Sequence, residues 1–388
     1  MAAPTVCRQD VLRWRFRRHQ LDRQPGAADG PTDVDLLDYG VQDTGPDGSA
    51  WALRIRGVDA PVFDDLALAW TLRGAPHAYR RAELAQVAVA TAPFSELDAA
   101  KRMFDAVRPL KVAGIPALEA LQVVADHLRK IVSKPMVKGD ASGRLTEVVD
   151  PPYLRACRPC ATTHVYEMPF RLAPLQAGLD LEPGTSPPVL RRIKGLAALR
   201  FEHLAGEAQD RYNVIRNHLR FYGPARAAEV ATFLDASAKD VRAHWPDDVV
   251  EVTITDEAST GRPAPRSVLA EDLDDLVTPG QAGPRAVRLV GPYDPYLQLR
   301  DRKLLVADEA RRKDLWRVLG RPGAIVADGE VIGTWRPRAS GRRLTVAIDP
   351  WGSLAAPDRT LVEEQAELLA THRGITLNTI TLNTITEV

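Results

Sequence analysis

Gln42 and Asp43 are the residues whose types and placement best suit chemistry in this chain. They close the run Leu36-Leu37-Asp38-Tyr39-Gly40-Val41 and open the polar turn Thr44-Gly45-Pro46-Asp47-Gly48. A pair at the mouth of such a turn has a fixed backbone and free side chains, and loops on a rigid scaffold are where chemistry concentrates. An amide can hold a water molecule, and a carboxylate can orient or deprotonate it. The plainer reading is a helix end followed by an ordinary Asp-Thr-Gly-Pro turn.

A second set is Cys157-Arg158-Pro159-Cys160 with His164. These are zinc-ligand types, but a full site needs a fourth ligand or a water. The only other cysteine is Cys7, so a reduced thiol pair is expected ahead of a metal, and no cofactor is expected. Clustered carboxylates and histidines of the kind a metal-dependent nuclease needs do not stand out.

The surrounding elements follow from pattern. The chain has 388 residues, enough for two to four compact units. Its apolar fraction is 45% and its acids and bases balance at 51 each, so no whole-molecule field draws it to nucleic acid. Local clusters must carry any such role. No apolar run is long enough to span a bilayer, and the N-terminus has no signal-peptide core. Three cysteines make no disulfide framework. A soluble, cytoplasmic protein is expected, and the absence of a heptad seam favours a monomer.

Residues 10–20 read as a helix capped by Asp10, with Val11 and Trp14 facing inward and Arg13, Arg15 and Arg17 forming a solvated basic face or lying along phosphates. Asp33 to Leu37 is a short helix delivering Gln42, and Ala50 to Leu53 a buried segment. Residues 60–63 bend. Leu66 to Arg81 is a strand, a Gly74-Ala75-Pro76 turn and a second segment. Residues 116–133 form an amphipathic helix with Leu118, Leu121, Val124, Leu128 and Ile131 on one face. Met136 to Val149 reads as a wing or loop, 168–180 as a helix, and 181–188 as a linker.

Residues 207–234 resemble a helix–turn–helix stopped by Gly223-Pro224, followed by a helix at 237–245 and a strand at 249–254. Residues 256–286 are an acidic, Pro-rich loop with one short helix. Beyond them come a strand at 286–290, a helix at 308–319, a hairpin through Asp328-Gly329, and a strand at 342–348. The repeat Ile-Thr-Leu-Asn-Thr at 375–379 and 380–384 reads as an appendage. Trp14, Trp51 and Trp70 are expected in the core.

The fold class is therefore α+β: tandem winged-helix repeats with a small C-terminal β-rich domain. The expected division is 1–115, a winged helix carrying Gln42 and Asp43; 116–190, a second winged-helix-like unit and linker; 195–285, a third; 286–355, the β-rich domain; and 356–388, a helix and tail.

Four patches in this order resemble the AlkZ-type winged-helix DNA glycosylases, from about residue 8 to 352. They are Gly40-Val41-Gln42-Asp43 with Trp51-Ala52-Leu53-Arg54; Trp70-Thr71-Leu72-Arg73-Gly74-Ala75-Pro76-His77; Leu219 to Pro224; and Tyr293 to Arg302 with Gly333-Thr334-Trp335-Arg336. The resemblance implies excision of alkylated or bulky purine adducts from double-stranded DNA, without a small-molecule cofactor or a membrane. Two motif glutamines of that family position the hydrolytic water. The second falls on Gln42; the first falls on Gly40, which has no side chain. Asp43, or Asp38, is the candidate stand-in. Phosphate contacts are then expected from Arg54, Arg56, Arg73, His77, Arg80 and Arg81, and from Arg300, Arg302, Arg336 and Arg338. The same scaffold without catalysis would be a regulator or damage binder.

Overall fold

The computed structural model describes residues 3–59, 63–201, 204–256, 264–278 and 283–382. The bend expected at 60–63 lies largely outside them, and so do the last two residues of the second copy of the terminal repeat.

The first helix, Arg8–Arg18, starts one turn earlier than Asp10 implied. Cys7 is its N-cap, with Sγ accepting from the Asp10 amide. Val11, Leu12, Trp14 and Phe16 are buried, as the apolar spacing required. Of its arginines Arg13 stays exposed, while the others are tied to distant groups. Arg15 is 2% exposed and donates to Gly223 O at 2.9 Å and to Asp301 Oδ2 at 2.7 Å. Arg17 and Arg18 pair with Asp275 and Asp272. A buried guanidinium persists because its donors are matched by carbonyls and a carboxylate.

A 3-10 turn, Asp35–Asp38, leads into strand Val41–Gln42, and the segment expected at 50–53 lies in helix Gly48–Arg54. Val41–Gln42 is an edge of a six-stranded sheet. The order from it is Pro76–Arg80, Leu66–Trp70, Leu179–Leu181, Val189–Arg192 and Met136–Val137. Leu66–Trp70 is buried throughout, which matches its unbroken apolar run and its inner place in the sheet. This sheet takes strands from both sides of residue 115, so the expected division there does not separate two sheets.

Helix Ala117–Ile131 packs against helices Glu96–Arg102, Lys138–Thr146 and Glu167–Leu172, with Leu121, Val124 and Leu128 buried. Two local expectations are corrected. Residues 136–149 are not a wing: a two-residue strand runs into helix Lys138–Thr146. Residues 168–180 are not one helix: Glu167–Leu172 stops early, Gly178 turns at φ 69°, and Leu179–Leu181 joins the sheet.

Helices Val214–Tyr222, Ala227–Leu234 and Ala238–Ala243 follow. Asn213 caps the first through Oδ1, which accepts from the amides of Ile215 and Arg216. Strands Val249–Thr255 and Arg266–Leu269 pair antiparallel, and Thr5–Cys7 adds to the first in parallel.

The last sheet has five strands: Val287–Val290, Gly323–Ala327, Glu330–Ser340, Arg343–Pro350 and Thr376–Leu382. Asp328 and Gly329 take the left-handed conformations their hairpin needs. The terminal repeat is more than an appendage, because Thr376–Leu382 pairs parallel with Arg343–Pro350. Helix Ala356–His372 supplies the crossover.

Candidate active site and nucleic-acid interface

Strand pairing places Gln42 opposite His77. The Gln42 side chain is 9% exposed. Its Oε1 accepts from Arg73 Nη2 at 3.1 Å, and its Nε2 donates to Thr44 Oγ1 at 3.0 Å. Each amide group keeps one further hydrogen-bonding capacity, the combination that fixes a water. Arg73 sits on the Leu72–Gly74 turn at φ 59° and ψ 21°, a left-handed conformation rarely adopted by a long side chain. Its guanidinium lies 4.4 Å from the centre of the Phe233 ring. Burial draws Arg73 below the usual guanidinium range, and the nearby Arg300 charge adds to this.

The neighbouring position is sterically closed. Gly40 has φ 103°, and a Cβ built on it would lie 2.5 Å from Tyr79 Oη and 2.6 Å from Tyr79 Cζ. Tyr79 Oη shares a 2.8 Å hydrogen bond with Thr71 Oγ1. Thr71 Oγ1 also meets His77 Nδ1 at 3.1 Å. His77 Nδ1 lies 3.0 Å from Ala75 O, to which it must donate. A buried Tyr–Thr–His network thus fills the space beside Gln42. Burial, then the Arg73 charge, pushes His77 down to about 3, so it is neutral and internal. The expectation that His77 contacts DNA is corrected accordingly.

Asp43 Oδ1 accepts from the backbone and the hydroxyl of Ser49, each at 2.8 Å, and so caps helix Gly48–Arg54. Both bonds fall on Oδ1, leaving Oδ2 for a second partner. Asp38 is no stand-in for the missing amide. It is buried among Arg80, Arg211 and Arg220.

The arginines expected at DNA separate into two groups. Arg56 is fully buried and bidentate to Asp294, both contacts 2.8 Å. Arg54 bonds Val58 O and Asp59. Arg80 bonds Thr32 O, Val34 O and Asp38. Arg81 bonds Asp64 O, Leu66 O and Asp180. Arg56 is an internal clamp, which corrects the DNA-contact expectation for it, whereas Arg54, Arg80 and Arg81 are half-buried with their guanidinium groups held by the chain's own carbonyls and carboxylates. A local basic pattern cannot separate a clamp from a phosphate ligand, because the carboxylates that decide it come from distant segments.

The other group lies on the surface. Arg300 is exposed and has no acidic partner among the described residues. Arg302 stacks 5.0 Å from the centre of the Trp316 ring. Burial, then the charges of Arg300 and Arg321, brings Arg302 down to about 10. Arg321 stands 4.9 Å over the Tyr293 ring. Arg336 makes one long contact with Asp314, at 3.5 Å, and Arg338 is exposed on the same strand. Cations that crowd each other in this way form a ready site for phosphate oxygens.

Sequence reasoning missed the groove beside Gln42. It encloses about 480 Å³ and is lined by Asp43, Thr44, Trp70, Arg73, Arg171 and Glu182 among others. Arg171 lies 5.3 Å over the Trp70 ring and donates to Gly74 O. Nothing in the spacing of 171 or 182 relates them to residue 42, which reaches them only through the sheet. The expected core placement of Trp14, Trp51 and Trp70 holds.

The architecture matches a fold already known from a solved structure. The structure of Streptomyces sahachiroi DNA glycosylase AlkZ is similar, with a TM-score of 0.70 and 18% identity, covering 97% of this chain and 100% of that one. The family model described as "DNA glycosylase AlkZ-like" matches residues 59–372, and the chain belongs to that family. The matched span contains the surface arginines and begins after Gln42 and Asp43. No curated protein sequence matches. No described helix is long and apolar enough to cross a membrane.

Proposed function

We propose that this protein is a monofunctional glycosylase that hydrolyses the N-glycosidic bond of alkylated or bulky purine adducts in double-stranded DNA. The observation that carries the reading is the Gln42 amide, held by Arg73 and Thr44, two residues that also line the adjoining groove, with Arg73 close enough to Arg300 to feel its charge.

An N7-alkylated purine is already cationic and leaves with the glycosidic electron pair as a neutral base. The sugar develops oxocarbenium character, and water bonds to C1′ as its proton passes to a base. Gln42 positions that water, and Asp43 Oδ2 takes the proton and returns it to solvent. No protonated histidine is required, which agrees with a neutral His77. Arg300, Arg302 and Arg336 hold phosphates, with Arg73 linking them to the water site.

The helices and strands from Val214 to Leu269 run in winged-helix order, and we read the chain as a tandem winged-helix protein acting as a monomer without a small-molecule cofactor. A second reading, a DNA-binding protein without catalysis, is favoured by one observation: the position of the first motif amide is Gly40, closed by Tyr79.

Single-turnover incubation with a duplex carrying one N7-alkylguanine, followed by alkaline cleavage at abasic sites, separates the two. Strand breaks that disappear in Gln42→Ala, with DNA affinity retained, are expected. No breaks from the unmodified chain, with binding intact, would favour the second reading.

A further inference from the structure

We propose that Cys157, Cys160 and His164 form a zinc site at the end of a β-hairpin, with the fourth coordination position taken by water. The hairpin pairs Leu154–Cys157 with Thr162–Val165. Its register sets His164 directly opposite Arg155, two residues before Cys157. Side chains two apart on a strand share a face, so Cys157 and His164 are diagonal neighbours across the pair. Residues 158–161 form the turn, where Ala161 adopts φ 50° and brings Cys160 back over the strand ends. The three ligand atoms all lie within 4.8 Å of one another. A tetrahedral zinc ion with bonds of about 2.0–2.3 Å needs ligand atoms roughly 3.5–4 Å apart. Closing that gap takes only small side-chain rotations.

The hydrogen bonding around the cluster suits a metal better than a disulfide. His164 Nδ1 lies 2.7 Å from Val165 O. A carbonyl only accepts, so the ring proton is on Nδ1 and the Nε2 lone pair is free. Metal-bound histidines are commonly fixed by such a bond. Arg155 Nη2 stands 3.9 Å from Cys157 Sγ and offsets part of the charge of a thiolate there.

The hairpin leads directly into helix Glu167–Leu172, which carries Arg171 onto the groove beside Gln42. A metal at its end would hold this segment in place without touching the reacting atoms. The site does not depend on the glycosylase reading.

The test uses the full chain purified without chelator. Elemental analysis is expected to find one equivalent of zinc. Cobalt substituted for it should show thiolate-to-metal charge-transfer absorption. Cys157→Ser and Cys160→Ser should each abolish both signals, and His164→Asn should weaken zinc binding at least tenfold in competition with a chromophoric chelator. Cys7→Ser should keep the full equivalent, and circular dichroism of each variant shows that it is folded. The proposal is overturned if no stoichiometric metal binds at neutral pH under reducing conditions, if a Cys157–Cys160 disulfide persists there, or if the serine variants retain the metal.

Discussion

Tyr79 occupies the space a side chain at position 40 would need: a Cβ on Gly40 would stand 2.5 Å from its hydroxyl oxygen and 2.8 Å from Cε1. The ring is buried and held by Thr71, so it cannot swing away at low cost. Gly40→Ala should destabilise the fold by about 1–3 kcal/mol through both the positive φ and the overlap. Urea unfolding at constant m-value reads this directly. Gly40→Gln should be no more active than the unmodified chain; a stable and faster Gly40→Gln would show that Tyr79 yields.

Arg73 joins conformation to chemistry. Its left-handed backbone suits glycine, whereas its guanidinium holds Gln42. Arg73→Gly should therefore be more stable than Arg73→Ala by about 1 kcal/mol. Both should lose cleavage about 10–100-fold, the range expected when a residue that positions a reacting group is removed. Single-turnover rates and unfolding midpoints on the same two variants check the separation. Equal cleavage by Arg73→Ala would remove Arg73 from the site.

Arg56 and Arg300 should respond in opposite ways. Arg56→Ala leaves Asp294 buried without its partner and should cost about 3–5 kcal/mol. Arg300→Ala, at an exposed position, should leave stability within about 0.5 kcal/mol and weaken DNA binding. A stable Arg56→Ala with selectively lost DNA affinity would reverse the clamp assignment.

DNA affinity should fall steeply with salt. Each arginine of the surface group that holds a phosphate contributes about −0.9 to the slope of log K against log salt. Arg300→Ala and Arg302→Ala should each flatten the slope by roughly one unit, equally for all sequences. A flat profile in the unmodified protein would remove the phosphate assignment.

Three buried histidines, His19, His77 and His218, give the fold an acid limit, each drawn down first by burial. His77 and His218 are both pushed down to about 3 by burial, from an ordinary value near 6.5. The unfolded chain therefore binds their protons first as pH falls. The stability they contribute is present above about pH 6.5 and is lost progressively toward pH 3. His218→Asn should flatten unfolding free energy against pH within that window. His77 should likewise produce no inflection in the pH–rate profile between pH 5 and 8.

Much of the frame was legible along the chain. The unbroken apolar run of Leu66–Trp70, the 3.6-residue spacing of Leu121, Val124 and Leu128, and the Asp328-Gly329 turn each act over a few residues, so local pattern is enough to find them. The ordered motif patches likewise pointed to the AlkZ-like family that residues 59–372 match. Elements whose form depends on distant partners were misread. The segment 136–149 turned from wing to strand and helix because Val189–Arg192 pairs with it. The terminal repeat became a strand because Arg343–Pro350 offers it an edge.

The sequence by itself determined that Gln42 stands at a turn with no amide at position 40, and that the chain is rich in arginine near its motifs. Only the tertiary structure decided which arginines are surface cations and which are clamps. Charge type is written locally, but Arg56 meets Asp294, and Arg15 meets Asp301, across more than two hundred residues. The same holds for the site. Asp43, Arg73, Arg171 and Glu182 come together because one sheet joins residues 41 to 192, and strand pairing over such distances is fixed by the packing of the whole core rather than by any short stretch.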